Sequence, residues 1–225
     1  MNRNARREVG ARIFTCLVLL SGVPSTASAL PLISEVFYDA VGSDDGQSFV
    51  ELSGTPGMDL TGLTIEGING SNGAVTHSIA LSGLISADGI FVLADTFSGG
   101  GTAVPDADLL AAFDFQNGPD SVVLRDEFGV IDALGYGVFV VGDFFAGEGN
   151  AAPDGPAGSS LARVFADFDS DDNALDFELL AEPTPGSAVF SVPEASTGVL
   201  FSSALVATLF ARRRARSVEL ESPAG

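Results

Sequence analysis

The chain has no tryptophan and no lysine, and it carries a single histidine and a single cysteine. One histidine is too few for a typical zinc site, which takes several His or Cys ligands. Cys16 lies near the start, in a segment interpreted below as an export signal. The remainder therefore has no thiol, which excludes a disulfide, a cysteine nucleophile and a cysteine-based metal site.

Basic residues are few and are concentrated at the two ends. Between Leu30 and Phe190 the sequence has 26 acidic residues but only two arginines, Arg125 and Arg163, a net charge of −24. Such a surface repels phosphate backbones, so we expect no nucleic-acid partner. It favours cations or basic partners, or it serves only to solvate the protein.

The first 29 residues have the three parts of a secretory signal peptide. Arginines occur before a short apolar run at residues 13–20, and Ala27 and Ala29 place small residues at the −3 and −1 positions of a cleavage site. The apolar run is too short to span a bilayer well. We predict that signal peptidase removes residues 1–29 and that the mature chain begins at Leu30.

The other end predicts a membrane anchor. Residues 195–211 would form about 25 Å of helix, which approaches the roughly 30 Å of a bilayer's hydrocarbon core. A basic cluster follows, made of Arg212, Arg213, Arg214 and Arg216. Arginines beside a spanning helix stay cytoplasmic, so the acidic domain is expected outside and residues 217–225 form a cytoplasmic tail. A buried amphipathic helix is disfavoured because the run has no polar face.

The residues before this run are Val192, Pro193 and Glu194, followed by Ala195, Ser196 and Thr197. Together with the apolar run and the arginines, residues 191–216 resemble the PEP-CTERM sorting signal, with Ala195 where a second proline is usual. The resemblance implies recognition by an exosortase-type membrane protease. Cleavage near the motif would then release the protein to the extracellular matrix or transfer it to the cell surface.

Residues 30–190 predict one all-β domain. Short apolar runs recur between turns rich in Gly, Asn, Asp and Pro, which favour positive φ angles or close turns. About eight strands in a domain of this size indicate a β-sandwich. The candidate strands are Leu32–Tyr38, Ser48–Leu52, Leu63–Ile68, Val75–Leu81, Ile90–Ala94, Leu109–Phe115, Ser121–Arg125, Val130–Leu134 and Leu161–Phe165.

Seven motifs follow one another in this domain: Leu32–Tyr38, Phe49–Leu52, Asp59–Ile65, Gly89–Ala94, Gly118–Leu124, Gly129–Asp132 and Pro183–Gly186. Their order resembles the bacterial secreted form of the lamin-tail domain. The resemblance implies an immunoglobulin-like β-sandwich that acts as a non-catalytic binding or attachment module, and it supplies no catalytic residues. Leu63 stands where that family usually has tryptophan.

We find no catalytic motif in the sequence. His77 lies in a candidate strand, and the Gly-x-Ser-x-Gly elbow of many serine hydrolases does not occur. With so many acids, pairs of carboxylates carry no information about glycoside hydrolysis. The sequence therefore predicts a protein that is not an enzyme.

One acidic run suggests a cation. Asp167, Asp169 and Asp171 alternate within a predicted loop, and oxygen ligands at alternate positions are typical of Ca²⁺ sites. The glycine and the distant glutamate of an EF-hand are missing, so Asp176 or Glu178 would have to complete the site. The other interpretation is a solvated turn rich in Asp.

These observations predict an exported, membrane- or surface-anchored module that binds or supports other molecules without catalysis. Its partner would be a surface polysaccharide or a protein. Two alternatives are a calcium-dependent adhesive or matrix protein, and an accessory domain of a secreted hydrolase or nuclease system.

Overall fold

The structure, a computed structural model, describes residues 30–191. It contains ten strands and one short helix: β1 Leu32–Phe37, β2 Phe49–Ser53, β3 Thr64–Asn69, β4 Val75–Ala80, β5 Ile90–Asp95, β6 Leu109–Ala111, β7 Asp120–Arg125, β8 Val130–Tyr136, β9 Ser160–Arg163, α1 Asn173–Asp176 and β10 Phe177–Leu180. Within these residues there is no helix of the length and apolarity that crossing a membrane requires.

The predicted end segments are not part of this description. The signal peptide with Ala27 and Ala29, the motif Val192–Glu194 and the cluster Arg212–Arg216 all lie outside residues 30–191. The assignments of these segments therefore stay predictions.

The strands form two sheets. The larger has six strands in the order β10-β9-β1-β2-β5-β6, and the smaller has four in the order β4-β3-β7-β8. Neighbours are antiparallel except β5 and β6, which run parallel. Side chains of both sheets share one hydrophobic core, which contains Leu52, Leu93, Ile65, Leu124 and Leu134. The predicted all-β sandwich is confirmed at this level.

The outer face of the six-stranded sheet is also covered. Phe49, Val92 and Ala94 alternate with the core residues of β2 and β5 and form a second apolar cluster with Val104. Strands that are buried on both faces read as continuous apolar runs, which explains the pattern of β5. The segments after β5 and after β10 supply this cover.

The nine predicted strands correspond to β1–β9, with their ends shifted by one or two residues in most cases. The largest difference is in β6, which ends at Ala111, whereas the prediction ran to Phe115. The chain leaves the sheet there because the backbone N–H of Phe113 donates to the Asp95 carboxylate and the Phe113 ring packs in the main core. β10 was not predicted.

Both ends of the described chain lie at the same end of the sandwich. Leu30 and Phe190 line one cleft there. β1 leads away from this end, and Tyr38, just after β1, stacks on Tyr136, the last residue of β8. The loop that follows Tyr136 is therefore at the opposite end.

Candidate functional site

Arg163 is the centre of a buried polar network at the end of β9. Its side chain is 0% exposed, and Nη2 donates to both carboxylate oxygens of Asp132 at 2.9 and 3.0 Å. Nη1 donates to Asp169 at 3.1 Å and to Asp176 at 3.2 Å, while Nε donates to the carbonyl of Ile33. The guanidinium also lies 4.6 Å from the centre of the Phe177 ring. Each group of the guanidinium thus has a partner, which a buried charge requires.

This network joins the two sheets. Asp132 belongs to β8 of the four-stranded sheet, whereas Arg163 belongs to β9 of the six-stranded sheet. The second oxygen of Asp132 also accepts the backbone N–H of Ile33 in β1 at 2.5 Å. Although burial raises the pKa of Asp176, hydrogen bonds from Ser170 and the charge of Arg163 bring it below its ordinary value. The network therefore holds Asp176 as a carboxylate.

The carboxylates of the three aspartates that the sequence suggested for calcium do not share the same hydrogen-bond partners in the structure. Asp169 accepts a hydrogen bond from Arg163, whereas both oxygens of Asp167 accept from Ser191. Asp171 is exposed and has a positive φ of 57°. Asp176, a proposed completing ligand, is engaged by Arg163 and Ser170. Calcium binding at Asp167, Asp169 and Asp171 stays a prediction.

Among residues 30–191, the trio that has ligand oxygens within metal-binding reach is Asp132, Glu148 and Asp169, whose oxygens lie within 4.8 Å of one another. Burial, and then the charges of Asp132 and Asp169, raise the pKa of Glu148 to about 8. Because Arg163 already binds Asp132 and Asp169, we interpret these two carboxylates as part of an ion-paired network, beside which Glu148 Oε2 is buried with no hydrogen-bond partner among the described residues. Glu148 was missed from the sequence because it stands alone between two glycines, far from the acidic run.

A second buried acidic pair lies on the outer face of the six-stranded sheet. Glu35 and Glu51 are directly opposite each other on β1 and β2, and both are almost fully buried. Glu35 accepts from the backbone and hydroxyl of Thr184, and Glu51 accepts from the backbone of Gly186 and the hydroxyl of Ser34. These carboxylates hold the segment after β10 against the sheet. Burial, only partly offset by these bonds, raises the pKa of Glu51 to about 7.

Most aspartates of the domain have a local structural role. Of the 19 aspartates in residues 30–191, 14 accept a backbone N–H, a bond that closes turns or anchors loops. Much of the acidity thus goes into fixing irregular backbone. The 14 are Asp44, Asp45, Asp59, Asp88, Asp95, Asp108, Asp120, Asp126, Asp132, Asp143, Asp167, Asp169, Asp172 and Asp176.

His77 does not belong to a catalytic triad in the described part of the chain. Its Nε2 accepts the backbone N–H of Asp114 at 3.3 Å, and its Nδ1 is buried with no hydrogen-bond partner. The ring packs edge-on against Phe115, 6.0 Å between centres. A triad histidine must bind a nucleophile with one nitrogen and an acid with the other, and this ring does neither.

An apolar loop, residues 137–145, occupies the end opposite the chain ends. Val138 is 71% exposed, Val140 66% and Phe144 51%, and Val141 is fully exposed. The loop is nevertheless well fixed. Asp143 accepts the N–H of Val140 at 2.7 Å and returns its own N–H to the Val140 carbonyl at 3.0 Å, which closes a tight turn.

The base of the apolar loop is anchored on the four-stranded sheet. Phe139 and Phe145 pack edge to face, 4.9 Å between ring centres. A Cβ at Gly135 would lie 2.2 Å from the Phe145 ring, so only glycine fits beneath it. The N–H of Phe144 donates to the carbonyl of Gly70 at 2.6 Å. The exposed valines therefore project from a fixed support.

Within residues 30–191, His77 and the carboxylates around Arg163 are engaged in structural hydrogen bonds. The apolar loop offers exposed hydrocarbon beside the polar side chains of Asn69, Ser71 and Asp120, which line an adjoining cleft.

Comparison with known proteins found no family model, no curated protein and no solved structure that matches the chain.

Proposed function

We propose that the chain is an exported, surface-anchored protein whose β-sandwich is a non-enzymatic binding or structural module. The observation that carries the proposal is the apolar loop, residues 137–145, at the end opposite Leu30 and Ser191. Contiguous exposed hydrocarbon on an acidic domain costs solubility, and such patches mark contact sites. An anchor that follows Ser191 would hold this loop away from the membrane, toward partners outside the cell.

The lamin-tail type of sandwich is part of the same proposal. The motifs that carry the resemblance include residues of β1, β2, β3, β5, β7 and β8, whereas Pro183–Gly186 follows β10. Leu63 packs against the main core at the position where that family usually has tryptophan. The PEP-CTERM-like signal at residues 191–216 supplies the proposed route to the surface. A surface polysaccharide or a protein is the proposed ligand, since the apolar loop adjoins amide, hydroxyl and carboxylate groups.

The side chains also support a role without catalysis. His77 binds backbone, and the Arg163 carboxylates are engaged with the guanidinium. Glu35 and Glu51, a second buried acidic pair, lie beneath the segment that follows β10. An acid that acts on a substrate must reach it, and these groups are enclosed or occupied.

The proposed topology can be tested by labelling single cysteines in a Cys16→Ser chain. Val141→Cys lies at the tip of the apolar loop, and Ser217→Cys follows the arginine cluster. A membrane-impermeant maleimide added to intact spheroplasts should label Val141→Cys, and Ser217→Cys only after lysis. Labelling of Val141→Cys that requires lysis would overturn the proposed export.

A further inference from the structure

Strand β4 is an open edge of the four-stranded sheet. Within residues 30–191 its backbone pairs with β3 and with no other strand. Just after β4, the N–H of Leu81 donates to the carbonyl of Leu63 at 2.8 Å, and successive residues of an antiparallel strand bond to alternate sides. The backbone groups of Ser78 and Ala80 therefore point away from β3. Such unpaired N–H and C=O groups can pair with an added strand.

The other three sheet edges are closed or protected. The edge of β8 is covered, since Tyr136 bridges Ala152 and the amide of Asn173 bonds the backbone of β8 at both Ala133 and Gly135. β6 has only three residues. β10 carries the exposed charge of Glu178. Short length, cover and charge are the usual ways in which proteins block edge pairing.

An acidic cleft lies beside the open edge. His77 of β4 lines it together with Asp44, Asp45, Asp95 and Asp114. Neither arginine of residues 30–191 belongs to its lining. Burial, and then the charge of Asp44, raise the pKa of Asp114. The carboxylates of the cleft thus repel one another, and the cleft favours a positively charged group from another molecule.

The open edge and the acidic cleft form one continuous surface. The side chain of His77 is on the face of β4 that looks toward the other sheet, because Ile79, two residues further on, lies in the main core. A strand added beside β4 would place every second side chain on this face, and the one opposite His77 would lie about 5 Å from it. An arginine or lysine there would extend into the cleft, where Asp45 and Asp114 are exposed.

We propose that β4 binds an extended segment of a second protein that carries arginine or lysine at alternate positions. Main-chain hydrogen bonds to β4 would hold the segment, and its basic side chains would pair with the cleft and give specificity. A second copy of this chain is disfavoured, because a two-fold pairing of β4 strands brings two acidic clefts together. This contact is separate from the apolar loop and adds a class of partner to the proposed function.

Peptide binding to the full chain in detergent tests the proposal. The probe is a fluorescein-labelled, threonine-rich peptide of about eight residues, with arginine at alternate positions so that these side chains share one face when it is extended. Replacing its arginines by glutamine should weaken binding, measured by fluorescence anisotropy, at least about tenfold. Methylating its backbone nitrogens keeps the charge and removes the N–H donors, and it should weaken binding by a similar factor.

Charge variants of the protein locate the contact. Asp45→Asn with Asp114→Asn removes charge from the cleft and should weaken binding of the arginine peptide at least about tenfold, while the amide still offers an acceptor for the N–H of Ser98. Glu127→Gln with Glu178→Gln is the matched control. These glutamates are exposed and do not line the cleft, so the same change in net charge should leave binding within about twofold.

Two further variants separate the edge from the apolar loop. Ser78→Pro removes an outward N–H and spares the pairing with β3, so it should weaken binding while the chain still unfolds cooperatively. The methylated peptide tests the same pairing on the unaltered chain. Replacing Val138, Val140 and Val141 by serine should leave peptide binding unchanged, so that either contact can fail while the other holds.

Four results would overturn the proposal. They are an arginine peptide that does not bind, a methylated peptide that binds as well as its parent, a control pair of glutamines that weakens binding as much as the cleft pair, and a loss of peptide binding in the valine-to-serine variant. Each would place the contact elsewhere or reduce it to general attraction between opposite charges.

Discussion

Arg125 and Arg163 are the two arginines of residues 30–191, and their environments differ sharply. Arg163 is fully enclosed by carboxylates, whereas the side chain of Arg125 is 43% exposed and pairs with Glu66 at 3.2 Å. Exposed ion pairs contribute little because water and salt screen them. Loss of one partner from a buried network leaves uncompensated charge in the interior.

We therefore predict that Arg163→Met lowers the free energy of unfolding by about 3–5 kcal/mol. Arg125→Met, which removes the same charge and nearly the same side-chain length, should cost less than about 1 kcal/mol. Urea unfolding at neutral pH measures both. Similar costs for the two substitutions would show that the network around Arg163 contributes no more than a surface pair.

Glu51 predicts a pH dependence of stability. Its pKa is about 7 in the folded chain against 4.5 for an ordinary glutamate, so the folded state binds the proton more tightly. Protonation of Glu51 therefore stabilises the folded state. This contribution to the free energy of unfolding is fully present below pH 4.5 and is lost as the pH rises through about 7. The total change is on the order of 3 kcal/mol.

Glu51→Gln should remove this dependence, because glutamine stays neutral and can still accept from Gly186 and donate to Ser34. Relative to the parent, the variant should be more stable at pH 8 and nearly unchanged at pH 4.5, as measured by urea unfolding across that range. Glu178→Gln, an exposed change on β10, is the control. A stability difference between Glu51→Gln and the parent that is constant with pH contradicts the prediction.

At the scale of elements, the apolar loop of residues 137–145 combines a fixed base with an exposed tip. Replacing Val138, Val140 and Val141 together by serine should leave the melting temperature almost unchanged, because exposed substitutions usually alter stability by less than about 0.5 kcal/mol. Retention of the full chain on polysaccharide or protein fractions from the surface of the producing cell should fall at least about tenfold.

Val130→Ser is a suitable control for the loop variant. Val130 is 59% exposed at the start of β8, at the opposite end of the sandwich. This change should leave retention unaltered. If both variants lose retention equally, binding depends on general surface hydrophobicity, and the apolar loop is not the contact site.

At the scale of the whole molecule, the charge of −24 opposes compact folding. Salt screens this repulsion, since the Debye length falls from about 10 Å at 0.1 M to about 3 Å at 1 M. We predict that the melting temperature of the full chain in detergent rises with NaCl. The effect should persist in every variant that keeps the overall charge.

Specific calcium binding predicts a further effect at fixed ionic strength. If Asp167, Asp169 and Asp171 hold Ca²⁺, millimolar CaCl₂ should raise the melting temperature by several degrees where MgCl₂ does little. Asp167→Asn with Asp171→Asn should abolish that difference while leaving Asp169 bonded to Arg163. If CaCl₂ and MgCl₂ raise the melting temperature equally, and do so by the same amount in the double variant, the ions act only by screening charge and the calcium site is contradicted.

The local sequence predicted most strands because their patterns are local. Phe49–Ser53 and Ile90–Asp95 are short apolar runs between turn residues, and such runs form strands wherever a core covers them. β10 escaped prediction because Phe177-Glu178-Leu179-Leu180 follows the acidic run without a clear turn. Its strand conformation comes from pairing with β9, with Phe177 opposite Arg163 and Leu180 opposite Ser160.

By itself, the sequence determined the all-β class and the acidic character, since composition and short-range pattern control these properties. Only the tertiary structure decided what the charged groups do. Asp132, Glu148 and Arg163 are distant in the chain, and they meet because β8 and β9 come together at the edge of the sandwich. The same packing gives Asp167 and Asp169 different partners, because Ser191 bonds one carboxylate and Arg163 bonds the other.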